Sequence, residues 1–244
     1  MRVAALSDLH GNPFALDAVL RDLERLDVDE IVCLGDVAIG PFPHETVVRL
    51  RELGCPVLMG NWDSWFLNGV VPRLGGEVGP RLSAQGDWCV SRLDADDLEF
   101  MQGFRPTLEL QIDGARLAAF HASPRSLDEL LLPDVSRARL DEALQGVEAG
   151  LILGGHTHLQ MLRRRSKSLF ANPGSVGLPF SDGPSGGSLL VSRWAEYVLA
   201  SSDEDGQRVE FRRVHYDVDT MLEAARGSGW PHAEWWTSCW AAEI

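Results

Sequence analysis

The sequence predicts an α/β fold in which parallel strands alternate with helices and present polar side chains at their carboxyl ends. Three observations carry this expectation. Short apolar runs stop repeatedly at Asp, Asn or His; helical apolar spacing follows the first two stops; and Gly- and Pro-containing loops separate the units. Ligands in such folds gather at the carboxyl ends of the strands.

The first unit is the apolar run Val3, Ala4, Ala5, Leu6, which ends at Ser7 and Asp8. A turn, Gly11-Asn12-Pro13, leads to Phe14, Leu16, Val19, Leu20 and Leu23 at helical spacing. The second unit runs from Glu30 through Leu34 to Gly35-Asp36, then through a loop to a helix marked by Val47, Val48, Leu50 and Leu53. A third strand, Pro56-Val57-Leu58-Met59, ends at Gly60-Asn61. From about residue 63 to 105 the pattern becomes helical, including 82–93 and an acid-headed segment 94–101, and reads as an inserted lid or helical connection. Strands at 107–112 and 115–120 around Asp113-Gly114 read as a hairpin, with His121 at its end. A helix near 135–144 precedes the strand 150–153, which stops at Gly154-Gly155-His156-Thr157-His158. Strands at 168–171, 188–192 and 209–216, a helix near 220–226 and a Trp-rich tail complete the chain, with no internal repeat.

At 244 residues and 45% apolar content the chain can bury a large core, and it reads as one domain over 1–244 carrying the helical insertion. Its 22 Lys and Arg against 36 Asp and Glu give a net charge of −14, which argues against stable nucleic-acid binding and makes bound cations the means of holding a phosphate. Cys33, Cys55, Cys89 and Cys239 form no C-x-x-C pair and read as reduced thiols. No stretch is long and apolar enough to span a membrane, and no basic, leader-like start is present, so a cytoplasmic protein is expected.

Five strand ends terminate in metal-binding side chains: Asp8-x-His10, Asp36, Asn61, His121 and His156-x-His158. Residues two apart on an extended chain point to one side, so each D-x-H or H-x-H pair directs two groups into one crevice if extended geometry persists. Taken singly, Asp8 can cap a helix, Asp36 can satisfy loop amides and His121 can be a core histidine; the set of five is what points to a metal pair. Mixed imidazole and carboxylate donors favour first-row metals, Mn first with Fe, Zn, Ni and Co as further candidates, over Mg. A carboxylate between two cations limits their repulsion, and Asp36 is the candidate for that place. A hydroxide held by both ions would then attack phosphorus without a Ser or Cys nucleophile.

These blocks resemble the calcineurin-like metallophosphoesterases, and the resemblance extends toward their small bacterial phosphodiesterase branch. The family pattern of D-x-H, G-D, G-N-H-[DE], H and G-H-x-H appears as Asp8-Leu9-His10, Gly35-Asp36, Gly60-Asn61-Trp62-Asp63, His121 and Gly155-His156-Thr157-His158. The segments Asn172-Pro173-Gly174-Ser175-Val176-Gly177 and Phe211 to Asp217 look like that branch as well. The resemblance implies a four-layer α/β/β/α sandwich and two divalent transition-metal ions. One would take Asp8, His10, Asp36 and His158, and the other Asp36, Asn61, His121 and His156. It also implies a catalytic set of Asp36, Asn61, Asp63 and His121, a small phosphorylated, nucleotide-like substrate, and hydrolysis of phosphodiesters.

One position departs from the pattern. Trp62 stands where the family has a histidine, and an indole cannot donate a proton at useful pKa, so activated diesters should be favoured over alkyl monoesters. His44 is a substitute acid or an ordinary loop histidine, and Asp63 should orient a neighbouring ligand through a hydrogen bond. Gly11-Asn12 and Asn172 to Ser175 read as structural turns more than substrate contacts, and Arg163, Arg164 and Arg165 as a solvated strand face more than a phosphate site. Trp230, Trp235, Trp236 and Trp240 should pack on the body, with a homodimer contact as the second reading and a nucleobase platform as the third. Two other functions stay open: a catalytically weakened metal-binding scaffold on the same fold, and a protein phosphatase.

Overall fold

The computed structural model describes residues 1–181 and 190–240. Its first sheet has the order β2-β1-β8-β9, formed by β1 (Arg2–Leu6), β2 (Glu30–Cys33), β8 (Trp194–Asp203) and β9 (Gly206–His215). The second has the order β3-β4-β5-β7-β6, formed by β3 (Thr107–Ile112), β4 (Ala115–Phe120), β5 (Leu151–Leu153), β6 (Gln160–Arg165) and β7 (Ser168–Pro173). Both sheets are mixed: β1 pairs parallel with β2 and antiparallel with β8, while β5 lies parallel between β4 and β7.

The two-residue period of a strand builds four layers from these sheets. On β1, Val3 and Ala5 face the core between the sheets, whereas Ala4 and Leu6 face a second core under the helices. β8 divides the same way, with Val198 and Ala200 between the sheets and Ala195, Tyr197 and Leu199 under the helices. In the other sheet Leu151 and Leu153 point inward, while Ile152, Phe120 and Phe170 turn outward onto Leu140 and Leu144 around α6 (Arg137–Ala143). Strands buried on both faces read as continuous apolar runs, which is how β1, β2 and β5 stand in the sequence.

Against the outer face of the first sheet lie α1 (Pro13–Leu23), α2 (Pro43–Leu53) and α7 (Val218–Gly227), together with α3 (Asn61–Leu67), α4 (Gly79–Val90), α5 (Ala95–Gln102) and α8 (Ala233–Ser238). Their starts carry the expected chemistry: Asn12 Oδ1 accepts from Ala15 N at 3.1 Å, and Pro13 opens α1 with its fixed φ. Asp94 and Asp97 form a capping box at α5. No helix among the described residues is long and apolar enough to cross a membrane.

Two strand expectations need adjustment, and two further strands are added. The strand at Pro56–Met59 is reduced to two bridges, Val57 with Cys33 and Leu58 with Arg105, because one peptide pairs with β2 and the next with the chain leaving α5. The strand expected at 188–192 falls partly outside the described residues; Val191 within it makes isolated bridges to Phe180 and Trp240. β8 begins only at Trp194 and was not anticipated, nor was β6, whose Arg163 to Arg165 run was expected only as a strand face. The hairpin β3–β4 is as expected, with Asp113 and Gly114 both at positive φ, as a two-residue connection between right-twisted strands requires.

Candidate metal centre

The five strand ends meet at one edge of the two sheets, and their backbones interlock before any side chain is considered. Asp8 N donates to Gly35 O at 2.9 Å and His10 N to Asp36 O at 3.1 Å, binding the two Asp-bearing loops together. The segment after β7 closes over the same turn: Ser175 Oγ donates to Asp8 O at 2.7 Å and Gly177 N to Asp8 O at 3.0 Å. Asn172 Nδ2 donates to Gly155 O at 2.7 Å, fixing the turn that carries His156.

Extended geometry does not persist at these turns. Asp8, His10, Asp36, His156 and His158 all have φ between 47° and 69°, the left-handed region that non-glycine residues rarely occupy. The pairs therefore converge because each chain dips into a left-handed turn as it leaves its strand, not because strand alternation continues. Such strain persists only where surrounding bonds over-determine it, as the interlocked backbones do here.

The side chains form two buried clusters, Asp8 with His10 and His158, and Asp36 with His121 and His156. His158 Nε2 lies 3.3 Å and His10 Nε2 3.9 Å from Asp8 Oδ1. Asp36 Oδ2 lies between the clusters, 3.9 Å from His10 Nε2 and 3.7 Å from His121 Nε2. The outward atoms of these groups are already committed. His121 Nδ1 faces Leu34 O at 2.8 Å and His158 Nδ1 faces Leu178 O at 2.7 Å; a carbonyl only accepts, so both rings carry their proton on Nδ1 and turn the Nε2 lone pair inward. Asp8 Oδ2 accepts from Ser7 Oγ at 2.5 Å and from His156 N at 3.0 Å, and Asp36 Oδ1 from Trp62 N at 2.9 Å.

What remains is a convergence of potential ligand atoms, two of them without any partner. Asp8 Oδ1 and His10 Nε2 are buried with no hydrogen-bond partner. The Asn61 amide turns one side to His121 Nε2 at 3.1 Å, Asp36 Oδ2 at 3.3 Å and His156 Nδ1 at 3.0 Å; with its nitrogen on that side it donates to all three, and with its oxygen there it joins them as an acceptor. Buried acceptors without donors are unfavourable in isolation, and divalent cations would relieve the arrangement. The buried His and Asp clusters are thus consistent with a metal site.

Titration behaviour agrees. Burial pushes the Asp36 carboxyl well above the usual carboxylate range, and the neighbouring Asp63 and Asp8 push it further. Burial acts to raise Asp8 also, but His158, His121 and His10 outweigh it and hold that carboxyl well below its ordinary value. Burial drives His10 and His121 down and His156 to about 4, so these rings are neutral, the form that coordinates metal.

The model of the calcineurin-like phosphoesterase superfamily domain matches residues 1–193, most of the chain. The chain belongs to that superfamily. It is 29% identical over 91% of its length to an uncharacterized protein of Methanocaldococcus jannaschii, of which 90% is covered. It superposes on a metallophosphoesterase of Sphaerobacter thermophilus with a TM-score of 0.73 and 26% identity, covering 96% of each chain. A hypothetical protein of Pyrococcus horikoshii matches with a TM-score of 0.78 at 21% identity over 95% of this chain and 94% of the other, a likeness of fold.

Within this calcineurin-like domain the remaining sequence candidates have definite places. Asp63 does not face the clusters: its Oδ1 accepts from Val37 N at 3.0 Å and its Oδ2 from Gly60 N at 3.2 Å, bracing the peptides beside Asp36 and Asn61. Burial lifts it to about 6. Trp62 is 8% exposed and packs edge-on against Trp65, with a ring separation of 4.9 Å. The arginines after His158 lie on β6, where Arg165 pairs with Asp141 at 3.0 Å and Arg163 donates to Pro133 O, a solvated face. Trp230, Trp236 and Trp240 are buried against the body and one another. Sequence reasoning did not single out Ser7 as a partner of Asp8; its place immediately before Asp8 at a strand end was the available signal.

His44 is engaged elsewhere. Its Nδ1 is 2.7 Å from Asp97 Oδ2 and 3.8 Å from Asp94 Oδ2, joining α2 to α5. The hydrogen bond it donates to Asp97 raises its pKa against the opposing effect of burial. A histidine raised on folding adds stability in full below its unfolded pKa of about 6.5 and loses it as pH rises through the folded value. The melting-temperature gap between wild type and His44→Gln should therefore be widest below about pH 6.5 and narrow as pH rises above it. A gap independent of pH would show that the ion pair adds nothing.

Proposed function

We propose that this chain is a dinuclear metal-dependent phosphoesterase that prefers phosphodiester or nucleotide-like substrates with good leaving groups. The observation that carries the reading is the convergence of Asp8, His10, Asp36, Asn61, His121, His156 and His158 in one buried site, where Asp8 Oδ1 and His10 Nε2 have no hydrogen-bond partner. Asp8, His10, Asp36 and His158 would hold one cation, and Asp36, Asn61, His121 and His156 the other, with Mn the first candidate. When bound, such a pair neutralises charge on phosphoryl oxygens and acidifies water at neutral pH.

The protein's own part is to fix these donors. The Leu34 and Leu178 carbonyls orient His121 and His158, Ser7 and the His156 amide leave Asp8 one free oxygen, and the Trp62 amide does the same for Asp36. Trp62 supplies no proton to a departing alkoxide, and His44 is tied to Asp97, so the leaving group must depart largely unaided. This favours aryl or nucleotide-like groups of low basicity. A cytoplasmic location belongs to the same reading, resting on four widely spaced cysteines with no C-x-x-C pair in the sequence.

The test is metal-stripped protein resupplied separately with Mn, Co, Ni, Zn and Mg, assayed on a chromogenic diester and monoester while bound metal is counted. About two ions per chain, activity with a transition metal, and its loss in His156→Ala are expected. Two bound ions with no turnover on either ester would favour a metal-binding scaffold instead.

A further inference from the structure

The loop that follows Asp36 has a second anchor, on the helical segment. Gly40 N donates to Cys89 Sγ at 3.4 Å, and Cys89 Sγ–H donates back to Gly40 O at 3.4 Å. Gly40 in turn lies flush against the turn that carries His10: a Cβ at Gly40 would collide with the His10 carbonyl, and one at Gly11 would stand 2.7 Å from Gly40 Cα. Phe42 N donates to Gly11 O at 3.0 Å, completing this seam. The thiol is thus the partner of a peptide whose other side backs a candidate ligand.

Three residues earlier, on the same face of α4, Gly86 meets the side chain next to Asn61. A Cβ there would be 2.8 Å from Trp62 Cζ3 and 2.7 Å from Val71 Cγ1, so the helix backbone presses directly on the side chain that follows Asn61. Arg81, Gln85 and Trp88, at i, i+4 and i+7, are held by the carboxyl-terminal segment. Arg81 lies over Trp235 at 5.0 Å, Gln85 Nε2 donates to Pro231 O at 2.9 Å, and Trp88 packs edge-on against Trp230 at 5.3 Å.

We propose that the Gly86–Cys89 face of α4 is a positioning brace for the metal centre, bearing on His10 through Gly40 and on Asn61 through Trp62, with the Trp-rich tail holding the helix along an adjoining face. The inference rests on the dinuclear reading above. Cys89 suits the role because burial raises its pKa far above neutrality, keeping a thiol that both donates and accepts. Serine reproduces both hydrogen bonds; alanine leaves a buried peptide without either.

The experiment titrates Co(II) into metal-stripped, full-length wild type, Cys89→Ala, Cys89→Ser and Gly86→Ala, reading affinity by calorimetry and coordination by visible absorption. Cys89→Ala should weaken at least one ion by about 10-fold and alter the absorption bands, the scale typical of losing a residue that orients a ligand. Cys89→Ser should restore both, and Gly86→Ala should also weaken binding through displacement of Trp62. If Cys89→Ala does not fold, Gly86→Ala decides. Wild-type affinity and spectrum in the folded variants, even with a lowered metal-free melting temperature, would overturn the brace and leave α4 a packing element. Failure of the wild type to bind two ions would instead overturn the dinuclear centre, before any variant is compared.

Discussion

Asp36→Asn is expected to abolish metal uptake at both positions and phosphoester hydrolysis with it, a loss beyond the roughly 100-fold that follows removal of a ligand's supporting partner. Asp36 Oδ2 is the atom nearest to being shared, with His10 and His121 imidazoles on either side. The amide oxygen of Asn keeps the bond from Trp62 N but has lost the charge that limits repulsion between two cations. The same substitution should act in the opposite sense on the metal-free protein. Burial, with Asp63 and Asp8 nearby, raises the folded pKa of Asp36 above its ordinary 3.8. The folded state therefore binds more protons than the unfolded state, and this site costs stability increasingly as pH rises above about 4. Metal-stripped Asp36→Asn should accordingly melt above metal-stripped wild type at pH 8, with the gap shrinking toward pH 4. Added metal should raise the melting temperature of wild type and leave the variant unmoved. A metal-free variant less stable than wild type at pH 8 would mean that the carboxylate is already compensated by groups other than a cation.

The expected positions of these side chains were legible because each ends an apolar run that crosses the sandwich. Val3 to Leu6 and Leu151 to Leu153 cannot continue past the sheet edge without a polar stop, and Asp8, Gly155 and His156 are those stops. The conformation at the stops was not legible. Only glycine advertises a left-handed φ, so Asp8, His10, Asp36, His156 and His158 gave no sign that the turns abandon strand geometry. β8 escaped notice for a different reason. Its place beside β1 rests on pairing Ala5 with Val198, nearly the whole chain apart, and the buried Glu196 breaks its apolar run while being held by Trp194 Nε1 and Arg213. The helices between Asn61 and Gln102 could be read from their spacing, but the docking of Cys89 on Gly40 is a tertiary contact without a local signal.

Trp62→His should still take up both metals when they are in excess, lower stability by about 2–3 kcal/mol, and shift the activity ratio toward monoesters. The stability loss follows from packing: the indole is buried among Trp65, Phe66 and α4, and an imidazole leaves much of that space empty, short of the 3–5 kcal/mol typical of Trp→Ala. The shift in ratio follows from chemistry, since an imidazole beside Asn61 can protonate a poor leaving group where an indole cannot. Gly86 makes the packing half of the argument separable. In wild type, Gly86→Ala gains about 1 kcal/mol of helix propensity, but its Cβ, 2.8 Å from Trp62 Cζ3, incurs an overpacking cost of about 1–3 kcal/mol. In the Trp62→His protein the indole edge carrying Cζ3 is gone, Val71 has room to turn, and the same methyl fills part of the cavity, so Gly86→Ala should become stabilising. Urea unfolding of the four proteins would give a coupling of at least about 1 kcal/mol with this reversal of sign. Additive effects would show that Trp62 does not bear on α4 as its geometry indicates, and an unchanged monoester-to-diester ratio in Trp62→His would show that the family histidine's absence is not what limits poor leaving groups.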